Sequence, residues 1–121
     1  MKISKHIIMR EANRLYWHEG LTHSEAVRKA WIFARIVAAH NEGLTVRIAF
    51  IKKNGEFRLM MASPSRFGAY TCKGGYSNVP DTNYLVWDAV KREFRQFCIA
   101  RLVAWNGIAT AEEVRKASEV A

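Results

Sequence analysis

The spacing of apolar residues changes period twice along the chain. Ile3, Ile7, Ile8, Ala12, Leu15 and Tyr16 recur at helical spacing, which predicts an amphipathic helix from Ile3 to Trp17 that ends near Gly20. Lys2, His6, Arg10, Arg14 and His18 drift along its other flank as a basic stripe, with Lys5 and Trp17 beside it. Leu21-Thr22-His23-Ser24-Glu25 then reads as a staple residue, an N-cap threonine and a capping-box glutamate. The second helix continues from Ala26 to His40 and stops before Gly43, a left-handed C-terminal residue. Its apolar face is Val27, Ala30, Trp31, Ala34, Val37 and Ala38, with Trp31 as a core anchor. Ile32 and Ile36 fall outside that face, separated from it by polar strips such as Arg28 with Arg35. A second surface must cover them, whether the first helix, the strands or a partner.

From Leu44 the period is two: Leu44, Val46, Ile48 and Phe50 alternate with Thr45, Arg47, Ala49 and Ile51. Asn54-Gly55 predicts a type I′ turn with positive φ at both central residues, and Phe57, Leu59 and Met61 alternate behind it. Further short strands are expected at Tyr84 to Asp88 and Glu93 to Ala100, and Leu102 to Trp105 forms a fifth strand or a closing turn. Thr110-Ala111-Glu112-Glu113 repeats the capping box and opens a terminal helix through Val114 and Ala117. The long irregular stretch is Ser63 to Asp81. Strands this short need closure into a barrel or a cover.

The ordered set Val46-x-Ile48-x-Phe50-x-Lys52-x-x-Gly55-x-x-Arg58-x-Met60-x-Ala62-Ser63, Val86-Trp87-Asp88 and Phe94-Arg95-x-Phe97 resembles the Sm-like SH3 β-barrel family, also named as a second WYL-type group. The likeness runs from Val46 to about Trp105. It implies a small barrel and an origin in phages or mobile elements of bacteria, and it carries over no catalytic residue. The expected fold is therefore α+β: an N-terminal helical hairpin (1–42) packed on a small antiparallel SH3-like barrel (44–105), with a short C-terminal helix (110–121), all in one domain. The helical N-terminal third and the Ser63 to Asp81 stretch depart from the family's pattern. Small phage proteins of this kind often act on host machinery, CRISPR-Cas effectors included.

Composition narrows the function. A chain of 121 residues with 50% hydrophobic content has one real core. Lys and Arg outnumber Asp and Glu by 19 to 11, and a formal charge of +8 favours polyanionic partners. No apolar run reaches membrane length, and Arg10, Glu11 and Arg14 interrupt any signal-peptide run, so a cytoplasmic protein is expected, in a bacterial host cell as the resemblance implies. Cys72 and Cys98 lack the spacing of a disulfide framework or a zinc site, and His6, His18, His23 and His40 form no metal-binding pair. Ser63-Pro64-Ser65 is no nucleophile elbow, Gly74-Gly75 lacks the lysine of a phosphate loop, and Asp88 with Glu93 frame a turn. Neither an enzyme nor a cofactor or metal site is expected.

Three features remain as binding candidates. Lys2, His6, Arg10 and Arg14 suit phosphates, or they form an ordinary solvated face. Arg66, Phe67, Tyr70, Lys73 and Tyr76 interleave cations with rings that suit base stacking, or tuck back as a loop anchor. Lys52, Lys53, Arg58, Lys91, Arg92 and Arg95 meet at one barrel rim, or keep edge strands from pairing. Trp87, Phe94 and Phe97 are expected in the core. These features point to a non-enzymatic protein that binds nucleic acid or a ribonucleoprotein at a polyanion site, and the resemblance implies a phage-type accessory role that blocks a host complex in the manner of an anti-CRISPR inhibitor. The competing reading is a protein-interaction or oligomerisation module, monomer or dimer, using the side of Arg28, Ile32, Arg35 and Ile36.

Overall fold

The Ser4 hydroxyl accepts the Ile7 amide at 3.3 Å and satisfies one free donor of a first helical turn, so helix α1 spans Lys5–His18 and starts later than the apolar pattern suggests. The structure is a computed structural model that describes residues 2–67 and 83–120. Thr22 caps helix α2, His23–Asn41, by accepting the Glu25 amide at 3.2 Å. Gly43, at φ +76°, ends it, with the Gly43 and Leu44 amides closing back on the carbonyls of His40 and Ala39.

Helix α2 is buried on two sides. Ala30 and Ala34 pack against Ile8 of α1, while Ala26, Ile32, Phe33, Ile36 and Ala39 join the sheet residues of the main core. Ile32 and Ile36 are therefore closed off by the fold and offer no surface to a partner, which overturns the interface reading of that side. Trp31 is the reverse case: it is 41% exposed, with the Arg35 guanidinium 5.8 Å from its ring centroid. Between the two buried sides, the middle of the helix turns outward the strip that carries Arg28, Trp31 and part of Arg35. Tyr16, assigned to the buried face of α1, is also exposed.

Five strands follow: β1 Thr45–Ile51, β2 Phe57–Pro64, β3 Asn83–Asp88, β4 Glu93–Cys98 and β5 Leu102–Ala109. They form an antiparallel sheet in the order β4-β3-β2-β1-β5, and a 3-10 turn, Ile99–Arg101, links the two edge strands directly. That turn takes Ile99 and Ala100, which were expected in β4. The first hairpin is tightened differently from expectation. Gly55 alone takes positive φ, +89°, and its amide bonds the Lys52 carbonyl at 2.9 Å, so the loop is a three-residue turn with a glycine bulge. The Asn54 side chain accepts the Glu56 amide at 3.0 Å instead of occupying the left-handed region itself.

Strand β5 continues past Trp105 because of a bulge. Val46 pairs Ile108 while Ile48 pairs Trp105, which leaves an extra residue in β5. Gly107, at φ +92°, supplies it, and a Cβ there would lie 3.3 Å from the Arg47 guanidinium. Arg47 holds the bulge through the Asn106 carbonyl at 3.1 Å and pairs Glu113 of helix α3, Ala111–Val120. Thr110 caps α3 by accepting the Glu113 amide at 3.2 Å. Ser63 and Pro64 belong to β2 and not to the irregular stretch, since the Ser63 hydroxyl lies 2.6 Å from that of Thr45 across the ladder.

The inner face of the sheet carries Val46, Ile48 and Phe50 of β1, Met60 and Ala62 of β2, Val86 of β3 and Phe97 of β4. Trp87 and Phe94 alternate onto the other face, where they meet edge to face at 5.1 Å and stay half-buried instead of entering the core. Helix α2 covers the sheet: Arg28 and Lys29 donate to the carbonyls of Val103 and Leu102 at the start of β5, both at 2.9 Å. No helix among the described residues is long and apolar enough to cross a membrane.

One buried polar junction ties helix to sheet. His40 is 2% exposed, with Nε2 3.0 Å from the Ala62 carbonyl and Nδ1 3.0 Å from the Tyr84 hydroxyl. A carbonyl only accepts, so Nε2 carries the proton and Tyr84 donates to Nδ1. Burial holds the imidazole below its ordinary pKa of 6.5 and pushes the Tyr84 phenol up to about 12. Below pH 6.5 the unfolded chain takes up a proton that the folded chain refuses, so stability falls as pH drops from neutral. Urea unfolding at pH 7.5 and 5.5 is expected to show this loss, and His40→Gln to reduce it. A pH dependence identical in the two proteins refutes the assignment.

Candidate functional site

Where the β1–β2 loop meets the ends of β4 and α1, the fold leaves a cleft of about 430 Å³. Lys52, Lys53, Arg58, Arg95 and Arg101 line it, over Phe50 and Phe97, with Glu19 on one wall and Asn83, Gln96 and Cys98 on another. The positions follow from alternation. Arg58 and Arg95 continue the inward rows of Met60 and Phe97 to the end of the sheet, where the core gives way to solvent. Lys52 and Lys53 come from the tight turn, and Arg101 from the 3-10 link between the edge strands, where its Nη1 donates to the Lys52 carbonyl at 3.1 Å.

Asp88 organises the inner pair. It is 2% exposed, its Oδ2 lies 3.1 Å from Arg95 Nε and 3.5 Å from Arg58 Nη2, and its Oδ1 accepts the amides of Val90 and Lys91. The expected turn-framing role is therefore only part of its work. Glu93 also pairs Arg95, and Lys52 pairs Glu56 at 3.6 Å. Lys53 and Arg101 have no carboxylate partner among the described residues and leave the mouth of the cleft positive. Lys52, Lys53, Arg58 and Arg95 were legible as a possible rim; Arg101 and Glu19 carried no local signal and enter through tertiary contact.

The remaining candidates are dispersed. Lys91 lies in an adjoining apolar groove of about 300 Å³, which shares Arg58 with the cleft and is lined by Leu59, Met61, Val90 and Ala117. Arg92 is exposed in the β3–β4 turn at φ +57°. Lys2 is exposed ahead of α1, and His6 and Arg10 are exposed on it, but Arg14 leaves the stripe: its guanidinium turns inward to the buried Glu11 at 2.8 Å and to Glu19 at 3.6 Å. A buried acid one turn away draws it off the solvated face. Arg66 donates to the His40 carbonyl at 2.8 Å. Phe67 ends a 3-10 turn, Ser65–Phe67, and Tyr70, Lys73 and Tyr76 lie outside the described residues. Among the described residues, no three His, Cys, Asp or Glu side chains gather as a metal site.

The inward rows that place Arg58, Asp88 and Arg95 are those of a small curled antiparallel sheet. Residues 35–103 match the model of the family described as WYL_2, Sm-like SH3 beta-barrel fold, and the chain belongs to that family. No curated protein and no solved structure matches it.

Proposed function

We propose that this is a non-enzymatic accessory protein that holds a nucleic-acid backbone, free or within a host ribonucleoprotein, in the cleft at the end of the barrel. The observation that carries the reading is the pair Lys53 and Arg101, two cations without a carboxylate partner among the described residues, at the mouth of a concave site whose inner arginines are already fixed by Asp88. Binding of this kind is steric and electrostatic. In the phage or mobile-element setting that the family resemblance implies, occupying such a site on a host defence complex, a CRISPR-Cas effector for example, blocks it without chemistry.

A labelled oligothymidylate titrated at several salt concentrations tests this. Affinity is expected to fall steeply with salt, and Lys53→Glu with Arg101→Glu is expected to weaken binding by on the order of tenfold at low salt and to flatten the log–log salt slope by roughly 1.4. Binding that ignores both salt and the double substitution overturns the reading. A second reading rests on Phe57 and Leu59, which are 59% and 66% exposed on the part of β2 that precedes its ladder with β3. A protein partner seated there would survive the double substitution.

A further inference from the structure

We propose that the stacked rings of Tyr16 and Trp17 form a base-stacking platform beside the cleft, so that the nucleic acid held there is single-stranded. The inference rests on the cleft reading above. Trp17 is 75% exposed, more than Tyr16, Trp31, Phe57 or Leu59. Its ring nevertheless lies on that of Tyr16, with centroids 5.0 Å apart and planes 7° apart, and His23 meets Tyr16 edge-on at 5.8 Å. Tyr16 is thus held from two directions, while Trp17 has no ring other than Tyr16 against it among the described residues. A flat ring backed on one side and open on the other is what an unpaired base needs, and a duplex keeps its base faces covered.

Position supports the same use. Glu19, which walls the cleft, follows Trp17 by two residues at the C-cap of α1, a chain length that spans at most about 7 Å. Arg14 lies 3.6 Å from the Glu19 carboxylate and offsets its charge at the place where a strand would pass. On the far side of the platform, Arg10 and His6 are exposed on the turns of α1 that precede Trp17. A strand laid along this path meets the Arg10 guanidinium, then the indole face, then Lys53 and Arg101.

The test compares an oligothymidylate, an abasic strand of the same length and charge, and a duplex, each titrated against the wild type, Trp17→Ala and Trp17→Phe. The wild type is expected to prefer oligothymidylate over the abasic strand by on the order of tenfold. Trp17→Ala should erase that preference and leave abasic binding unchanged, and Trp17→Phe should retain part of it. Equal wild-type affinity for the thymidylate and abasic strands, duplex binding as tight as the single strand, or an equal loss on both strands in Trp17→Ala overturns the platform while sparing the cleft. Absence of binding to every probe overturns the cleft reading and the platform with it.

Discussion

Asp88→Ala is expected to destabilise the protein by about 3–5 kcal/mol, because deleting the shared partner of a buried ionic cluster leaves Arg58 without its carboxylate and Arg95 with the more exposed Glu93. The Asp88 side chain is 3% exposed, and the guanidiniums it bridges are 19% and 28% exposed, too enclosed for water to replace the carboxylate fully. The same substitution removes the acceptor for the Val90 and Lys91 amides, which shape the turn where Arg92 takes its positive φ. Asp88→Asn separates the two contributions, since an amide oxygen still accepts those amides while the charge is gone; its loss should be smaller. Urea denaturation of the two variants checks the order, and two midpoints indistinguishable from wild type would show that Asp88 is not the keystone of this end of the sheet.

The second large effect sets two residues of α2 against each other. Ile36 is fully buried between helix and sheet, and Ile36→Ala is expected to lose about 2–5 kcal/mol through lost transfer energy and the void left behind. Trp31→Ala deletes far more side chain but is expected to lose less than about 1 kcal/mol, because the ring is 41% exposed and carries the Arg35 guanidinium 5.8 Å from its centroid. Thermal unfolding of both variants decides it. A Trp31 variant less stable than the Ile36 variant would mean that α2 is rotated from the orientation described above.

That comparison shows where sequence reasoning runs out. Helix ends, capping threonines, the hairpin and the onset of each strand are local, written in residues within a turn or two of one another, and Thr22, Gly43, Gly55 and Thr110 each act where their neighbours indicate. The burial side of α2 is a tertiary matter. A helix packed on two sides has no single apolar stripe, and the large ring of Trp31 weighs more on a wheel than the alanines that face α1. Likewise the Gly107 bulge breaks the period of two in β5, so alternation could not follow that strand beyond Trp105. The cleft was half legible. Lys52, Lys53, Arg58 and Arg95 stand out as cations at strand ends, whereas Arg101 and Glu19 reach it only through a 3-10 link and a helix terminus. Arg14 was misplaced because the burial of Glu11 depends on how α1 docks.

The double-sided packing of α2 also bears on how this chain and its relatives can be recombined. The family match begins at residue 35, midway along that helix, and ends at residue 103, inside β5. An excision at those limits would discard Ala26, Ile32 and Phe33 from the lid of the barrel, and the part of β5 that pairs with Thr45, Val46, Ile48 and Ala49. The stretch that records common ancestry is thus shorter than the stretch that can persist in water. A graft between relatives has to carry the whole of α2 and β5 with the barrel, and its natural seams are the Glu19–Thr22 turn and Thr110.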